Sequence, residues 1–389
     1  MRTAAILSTL ILSGLAGLFP PEIKNPQAAG PFPVGVTTTV FIDNTRTDAL
    51  TKGPRTLVTE IWYPTTDAAR TLAKASFTDF MPGGVTPELE FMLKAAYKLS
   101  SADLNRSFST LAVRDAKVRE GRFPVVLFSH GNRGLRFQNT FWCDYLASHG
   151  YIVVAPDHTG NAGLTIIKGK PVFYQGSERE RSAEDRPKDL AFLIDQLTIM
   201  NARANSEGDS RFVGKLDLDK IAASGMSFGS YTAIKLADRD PRVKVVVGMA
   251  YAPPEGHTNV TIPTLLMLGE EDQTIEAKGN AAIRSNFEAH RGPALLLELK
   301  RGGHFSFTDM FKISPNHGDG VGTGKRKSTD ETITFAPMET TYGIINSYSI
   351  AFLGAFLKGE KEYSKFLLEN AWPKELEMKS KGMEYRVKD

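Results

Sequence analysis

The sequence predicts an α/β protein with a mainly parallel central sheet that helices cover on both faces. The order of the local patterns carries this prediction. Short apolar runs typical of buried strands alternate along the chain with stretches of helical periodicity. Such alternation favours a mainly parallel sheet with helices on each side. No internal repeat or long low-complexity linker interrupts the order, so the 389 residues are predicted to form one large domain, although length alone would also allow two or three.

The predicted elements follow one another from residue 34 to residue 358. The strands are predicted near 34–42, 56–63, 124–129, 151–155, 220–224, 243–249, 263–268 and 294–299. The helices are predicted at 137–148, 186–200, 229–237, 276–290 and 341–358, with a small helical insert near 86–99. The charged segment 162–185 is predicted as a loop, either at the entrance of a pocket or solvated.

The most informative local pattern is Gly225-Met226-Ser227-Phe228-Gly229, between an apolar strand and a helix-like stretch. Strand, Gly-x-Ser-x-Gly and helix form the nucleophile elbow of α/β-hydrolases, in which a sharp turn exposes the serine hydroxyl. Gly225 and Gly229 avoid the collision that a Cβ atom would cause there. We therefore predict the α/β-hydrolase fold with Ser227 as nucleophile.

A histidine and an acid should follow this serine along the chain, the acid first. His304 lies on the glycine loop that directly follows the strand 294–299. The other six histidines precede the serine, come too early after it, or lie in segments that no strand directly precedes. His304 is therefore the predicted base.

Three carboxylates, Glu270, Glu271 and Asp272, follow the strand 263–268. The acid must accept a hydrogen bond from the imidazole Nδ1–H and stabilise the imidazolium. Asp272 is the predicted acid because it ends a Gly-x-x-Asp turn. The two glutamates stay open as alternatives and are otherwise expected on a solvated surface.

Acyl transfer also needs backbone N–H groups aimed at the developing oxyanion. One is expected from Phe228, the residue after the nucleophile, and the other from a loop after an earlier strand. The strand 124–129 is followed by His130-Gly131-Asn132-Arg133-Gly134, and the N–H of Asn132 is the predicted second donor. His130 is expected to hold this loop by hydrogen bonding and not to react.

The segment 125–160 reads VVLFSHGNRGLRFQNTFWCDYLASHGYIVVAPDHTG. It resembles the platelet-activating-factor acetylhydrolase family of α/β-hydrolases, together with bacterial esterases of the dienelactone-hydrolase-like type. Further segments share the resemblance, which extends from about residue 30 to residue 370: 30–35, 59–64, 186–189, 302–309 and 347–358. The resemblance implies the same catalytic residues, Ser227, Asp272 and His304, and the same oxyanion donors, Asn132 and Phe228.

The chain departs from these families in two respects. True dienelactone hydrolases use a cysteine nucleophile, whereas Ser227 occupies that position here. The lone cysteine, Cys143, lies in a helix-like segment, so thiol catalysis is not expected. The residues around the acyl pocket are not diagnostic, so an acetyl-specific or phospholipid-specific activity does not carry over.

The helical insert carries a single apolar stripe, formed by Leu89, Met92, Leu93, Ala96 and Tyr97. One interpretation is a helix packed on the core. The other is a lid, or a helix that binds lipid interfaces, over the active site.

The predicted function is that of a serine carboxylic-ester hydrolase that forms an acyl-enzyme, with short-chain acyl esters as substrates. The alternatives are a phospholipid sn-2 short-acyl hydrolase, a polyester or aryl-ester hydrolase and, from another class, a catalytically inactive binding protein on the same fold. No cofactor and no metal is expected. The expected partners are small-molecule or lipid esters, with peripheral contact to a lipid interface left open. The formal net charge of +3 is too small to indicate nucleic acid.

The amino terminus predicts export. Arg2 precedes the apolar run 4–19, which is typical of a signal peptide and short for a membrane span. The expected organisation is a signal peptide in 1–29, cleaved after Ala16 or near Ala29, and a catalytic domain in 30–389. The predicted location is secreted or periplasmic, and the alternative is an uncleaved membrane anchor. A single cysteine excludes an internal disulfide and does not indicate the compartment.

Overall fold

The computed structural model describes residues 25–81, 83–202, 210–254 and 260–383. The apolar run of the predicted signal peptide therefore lies outside the described residues. The strands, numbered in chain order, are β1 (Val34–Thr47), β2 (Pro54–Pro64), β3 (Ala112–Arg114), β4 (Phe123–Ser129), β5 (Ile152–Pro156), β6 (Leu164–Ile167), β7 (Lys170–Phe173), β8 (Leu216–Met226), β9 (Val243–Met249), β10 (Thr264–Gly269), β11 (Ala294–Leu299), β12 (Thr323–Lys325), β13 (Thr332–Thr334) and β14 (Leu376–Lys381). The helices are α1 (Pro87–Tyr97), α2 (Ser101–Ser107), α3 (Thr140–Ser148), α4 (Arg179–Ala202), α5 (Phe228–Ala237), α6 (Glu276–Ala289), α7 (Met310–Ile313), α8 (Met338–Leu353) and α9 (Ser364–Leu368).

The central sheet has the strand order β14-β11-β10-β9-β8-β4-β5-β2-β1-β3. The six strands from β11 to β5 run parallel to one another. The long pair β1 and β2 is antiparallel, and β2 meets β5 antiparallel. At the other edge β14 pairs antiparallel with β11. The predicted mainly parallel sheet is confirmed, with antiparallel strands toward both edges.

Helices cover both faces of this sheet. Neighbouring side chains of a strand point to opposite sides, so alternate residues of a buried strand enter different cores. In β4, Val126 and Phe128 belong to one apolar core, which also contains residues of α3 and α8. Val125 and Leu127 belong to the other core, with residues of α4, α5 and α6. A large apolar core therefore lies on each face of the sheet, whose central strands are buried.

Four parallel strands end at the same edge of the sheet, and a loop with a predicted site residue follows each of them. Asn132 comes after β4, Ser227 after β8, Asp272 after β10 and His304 after β11. Ligands of open α/β sheets bind outside the carboxyl ends of the strands. The topology therefore brings four separate parts of the chain together at that edge.

Two predictions of local structure need correction. The segment 162–185, predicted as a loop, contains the antiparallel hairpin β6–β7 and the start of α4. That helix begins at Arg179, seven residues before the predicted start, and Pro187 lies inside it. Proline is common in the first turn of helices, so Arg186-Pro187 resembled a helix start, whereas here the preceding charged residues are already helical.

The helical insert packs against the core. Leu89 and Leu93 of α1 are buried in the core that also contains α3, while Phe91 between them is 73% exposed. The side chains of Met92, Ala96 and Tyr97 lie outside the described residues. Within the described ranges, no helix combines the length and apolar character that crossing a membrane requires.

Candidate active site

Ser227 lies at the turn between β8 and α5, with φ 55° and ψ −122°. Non-glycine residues rarely adopt a positive φ, and such strain is common where a side chain must be held for function. A Cβ atom on Gly225 would overlap the backbone of Gly229, and one on Gly229 would overlap the carbonyl of Ser129. The Ser227 N–H donates to the Met249 carbonyl at 2.7 Å and fixes the turn against β9. The local geometry is that of a nucleophile elbow.

Three of the predicted residues form one hydrogen-bonded chain, called the triad below. His304 Nε2 lies 2.9 Å from Ser227 Oγ, and His304 Nδ1 lies 2.6 Å from Asp272 Oδ2. The carboxylate can only accept, so Nδ1 carries the proton and Nε2 is free to accept from the serine hydroxyl. Asp272 Oδ1 accepts from the N–H groups of Thr274 and Ile275 at 2.8 and 2.9 Å. Both oxygens of the buried carboxylate are therefore used, and the acid is held in one orientation.

The alternative acids point elsewhere. Glu270 is exposed. Glu271 is mostly buried, with its side chain 17% exposed, and accepts two hydrogen bonds from Arg326, at 2.5 and 3.0 Å. The expectation of a solvated surface therefore holds for Glu270, whereas Glu271 is ion-paired.

The loop after β4 lies beside the nucleophile. A Cβ atom on Gly131 would lie 3.5 Å from the Ser227 Cβ. The Gly131 N–H is already used, because it donates to Gln138 Oε1 at 3.1 Å. The N–H groups of Asn132 and Phe228 donate to no other group within the described ranges. These are the two donors that the sequence predicts for an oxyanion, and Phe228 is also the first residue of α5, where the helix dipole favours negative charge.

A buried guanidinium supports this loop from below. Arg186 of α4 donates to the His130 carbonyl, to Ser129 Oγ at 2.7 Å and to Asn161 Oδ1 at 2.8 Å. It also lies 4.5 Å from the centroid of the Phe228 ring. Burial lowers its pKa to about 9, which leaves it charged at neutral pH. Sequence reasoning missed this contact, because Arg186 had no signal beyond its place in the family resemblance.

His130 holds the loop as expected. Its Nε2 accepts from the His158 N–H at 3.1 Å, so its Nδ1 carries the proton and donates to the Gly131 carbonyl at 2.6 Å. Burial keeps the pKa of His130 well below its ordinary value, so the ring is neutral.

Asp157 and His158, which directly follow β5, are both fully buried. Asp157 pairs with Arg136 at 2.7 Å. His158 bridges Ser129 Oγ and Asp189 Oδ2, each at 2.9 Å. They belong to the packing beneath the loop that follows β4.

The chemistry available at this site is that of a serine hydroxyl with an adjacent base. The only thiol of the chain, Cys143, is buried within α3, and burial raises its pKa well above the ordinary value. Across the described residues, no three histidine, cysteine or acidic side chains are grouped so that they could hold a metal ion.

Two family models match the chain. The model of the dienelactone hydrolase family matches residues 108–310, which is more than half of the chain and includes all five predicted site residues. The model described as platelet-activating factor acetylhydrolase, isoform II, matches residues 18–181.

Curated relatives have low identity. A platelet-activating factor acetylhydrolase of Cavia porcellus is 24% identical over 274 residues, which cover 63% of this chain and 60% of that protein. A chlorophyllase type 0 of Chenopodium album is 23% identical over 290 residues, covering 68% of this chain and 77% of that protein. A platelet-activating factor acetylhydrolase of Bos taurus is 26% identical over 170 residues, covering 37% of this chain and 38% of that protein. The match thus spans less than two thirds of both acetylhydrolases.

A solved structure supports the fold. The ferulic acid esterase of Streptomyces cinnamoneus superposes with a TM-score of 0.66 at 21% identity, covering 88% of this chain and 94% of that chain. The fold and the extent of the family match agree. The chain belongs to the dienelactone hydrolase family and has the α/β-hydrolase fold.

Proposed function

We propose that this protein is a serine carboxylic-ester hydrolase that acts through an acyl-enzyme. Both family models describe hydrolases, and the relatives are named as an acetylhydrolase, a chlorophyllase and an esterase, which indicates hydrolysis of esters. The single observation that carries the mechanism is the chain of hydrogen bonds from Ser227 through His304 to Asp272.

In the proposed reaction His304 Nε2 takes the proton of Ser227 Oγ as the oxygen attacks the ester carbonyl. The N–H groups of Asn132 and Phe228 stabilise the oxyanion of the tetrahedral intermediate. His304 then returns the proton to the leaving alcohol, and the acyl group stays on Ser227. Water, activated by the same imidazole, attacks the acyl-enzyme and releases the acid. Asp272 stabilises the imidazolium that forms in each step.

The proposed substrates are esters of short acyl groups. The acetylhydrolase relatives, by their names, favour a short acyl group. A phospholipid with a short sn-2 acyl ester is a further candidate substrate, from which the lysophospholipid alcohol would leave. Esters of aromatic acids are a second candidate, favoured by the ferulic acid esterase that shares the fold.

The test uses an activated acetate ester and a fluorophosphonate that labels reactive serines. Ser227→Ala should lose labelling and reduce kcat by on the order of 10⁶-fold. Ser230→Ala is the matched control, because that hydroxyl lies in the same turn but donates to the Tyr251 carbonyl. A wild-type protein that neither labels nor hydrolyses any ester would instead favour a binding protein on this fold.

We also propose that the protein is exported. Two contacts near the start of the described residues bear on the cleavage site. Tyr145 Oη donates to the carbonyls of Pro26 and Ala28, at 2.6 and 2.7 Å. Cleavage after Ala16 keeps these contacts, whereas cleavage near Ala29 removes them. Sequencing the amino terminus of the mature protein distinguishes the two sites, and a chain that still begins at Met1 would contradict cleavage.

A further inference from the structure

A second carboxylate, Asp319, lies behind the triad and is buried to 9% exposure. It belongs to the segment between α7 and β12. It does not contact Ser227 or Asp272 through any hydrogen bond within the described residues. Its partners are instead the backbone and side chains of the two loops that carry the acid and the histidine.

The two oxygens of this carboxylate join those loops. Oδ1 accepts from the His304 N–H at 2.9 Å and from the Gln273 N–H at 3.1 Å. Oδ2 accepts from Thr274 Oγ1 at 2.7 Å. One side chain therefore bonds to the residue that carries the imidazole and to the two residues that follow the acid.

The backbone around Asp319 is fitted closely to the histidine loop. The Asp319 carbonyl accepts from the Phe305 N–H at 3.0 Å, and Ser306 Oγ donates to the Gly320 carbonyl at 2.8 Å. A Cβ atom on Gly303 would lie 2.6 Å from Asp319 Oδ1, and one on Gly320 would lie 2.5 Å from the Ser306 nitrogen. Only glycine permits this approach, which sets the carboxylate against the start of the histidine turn.

We propose that Asp319 is a positioning residue of the triad, whose carboxylate fixes the acid loop against the histidine loop. The inference rests on the proposed function. The hydrogen bond between His304 and Asp272 joins two loops that follow different strands, and Asp319 is a third group bonded to both. Displacements of about 1 Å at a reacting group can reduce turnover by on the order of 10²-fold.

The chain permits a test that separates position from charge. In Asp319→Asn the amide oxygen can still accept from both N–H groups, and the amide nitrogen can donate to Thr274 Oγ1. This variant removes the charge and keeps the three contacts, whereas Asp319→Ala removes all three. Asp330→Asn is the matched charge control, because it removes an exposed carboxylate that lies between β12 and β13.

The expected result is a split between the two variants. Asp319→Ala should lower kcat on a soluble acetate ester by about 10²-fold with KM nearly unchanged, since the substrate site keeps its contacts. In Asp319→Asn and Asp330→Asn, kcat should stay within about threefold of the wild-type value. A threefold change is smaller than the effect of losing one ordinary hydrogen bond. The low-field proton NMR signal of the His304 Nδ1–H bond to Asp272 should persist in Asp319→Asn and disappear in Asp319→Ala.

Thr274→Val gives a milder form of the test if Asp319→Ala does not fold. It removes only the bond to Oδ2 and should lower kcat by about fivefold, the equivalent of one hydrogen bond. Thr329→Val is its control, because the Thr329 hydroxyl donates to the exposed carboxylate of Glu331.

Equal losses of kcat in Asp319→Asn and Asp319→Ala would show that the negative charge of Asp319 matters and would overturn the positioning role. Wild-type kcat in Asp319→Ala, or in Thr274→Val where the alanine variant does not fold, would overturn the role altogether. The NMR signal is read on the resting protein without substrate. A wild-type protein that hydrolyses no ester would therefore overturn the proposed function, while the signal would still decide whether Asp319 holds the two loops together.

Discussion

Asp272 and its two acidic neighbours can be separated one carboxylate at a time. Asp272→Asn should leave an imidazole of the wrong tautomer, with a loss in kcat on the order of 10⁴-fold, as in analogous triads. Glu270→Gln should have little effect because Glu270 is exposed. Glu271→Gln weakens an ion pair with Arg326 and should change stability slightly but not kcat. Rates of all three variants on one soluble ester are compared, and a crippled Glu271→Gln would move the acid by one residue.

The buried imidazole of His158 should make the protein sensitive to acid. Burial lowers its pKa from 6.5 to about 3, against the opposing attraction of Asp189. Between these values the unfolded chain binds a proton that the folded chain does not. The free energy of unfolding should therefore fall as the pH falls below 6.5, by up to about 1.4 kcal/mol per pH unit from this group.

Urea unfolding between pH 7 and pH 5 measures this contribution. His158→Gln cannot titrate, so its stability should depend less steeply on pH in this range, whatever its absolute stability. His130 and His149, which also have lowered pKa values, are present in both proteins, so the comparison isolates the change at position 158. Equal slopes in the wild type and the variant would contradict the prediction.

At the scale of elements, α1 tests the two interpretations of the helical insert. Leu93 is 6% exposed within the core, so Leu93→Ala should lower the free energy of unfolding by about 2–4 kcal/mol. Phe91→Ala is the control in the same helix, and it should be nearly neutral because that ring is 73% exposed. Thermal or urea unfolding measures both. Equal stability of the two variants would favour a lid that is loosely attached.

The exposed ring of Phe91 also allows a test of the lipid-interface contact that the sequence left open. Phe91→Asp should lower partitioning onto phospholipid vesicles and leave hydrolysis of a soluble acetate unchanged, because the ring lies outside the core. Val40→Asp on β1 is the control, since that side chain is also exposed, to 52%, but lies on another element. Unchanged partitioning of both variants would argue against a role of α1 at interfaces.

Local patterns predicted the strands of the parallel sheet and the loops after them because those signals are contiguous in sequence. Ser227 and His304 each follow a strand directly, and glycines mark both turns. Arg186 and Asp319 carry no such signal, since their partners are far away in the chain and become neighbours only in the fold. The edge strand β14 was missed for a different reason, because its partially exposed residues lack the apolar run of a buried strand.

For the whole molecule, the most direct measurement is how the rate of hydrolysis depends on the length of the acyl chain. We expect rates on aryl esters to be highest from acetyl to butyryl and to fall for decanoyl and longer chains. A long chain gains about 0.8 kcal/mol per buried methylene only where a continuous apolar groove receives it. A rate maximum at long acyl chains would identify such a groove and contradict the short-acyl proposal.

The order of the site along the chain has a consequence for biosynthesis. Ser227 is 77 residues ahead of His304, and Asp319 comes later still. A growing polypeptide therefore carries its nucleophile long before the base that activates it has been made. During this interval the ribosome-bound chain carries an unactivated serine. Activation of Ser227 by the triad therefore requires synthesis of the chain at least as far as His304, and then folding that brings the two residues together.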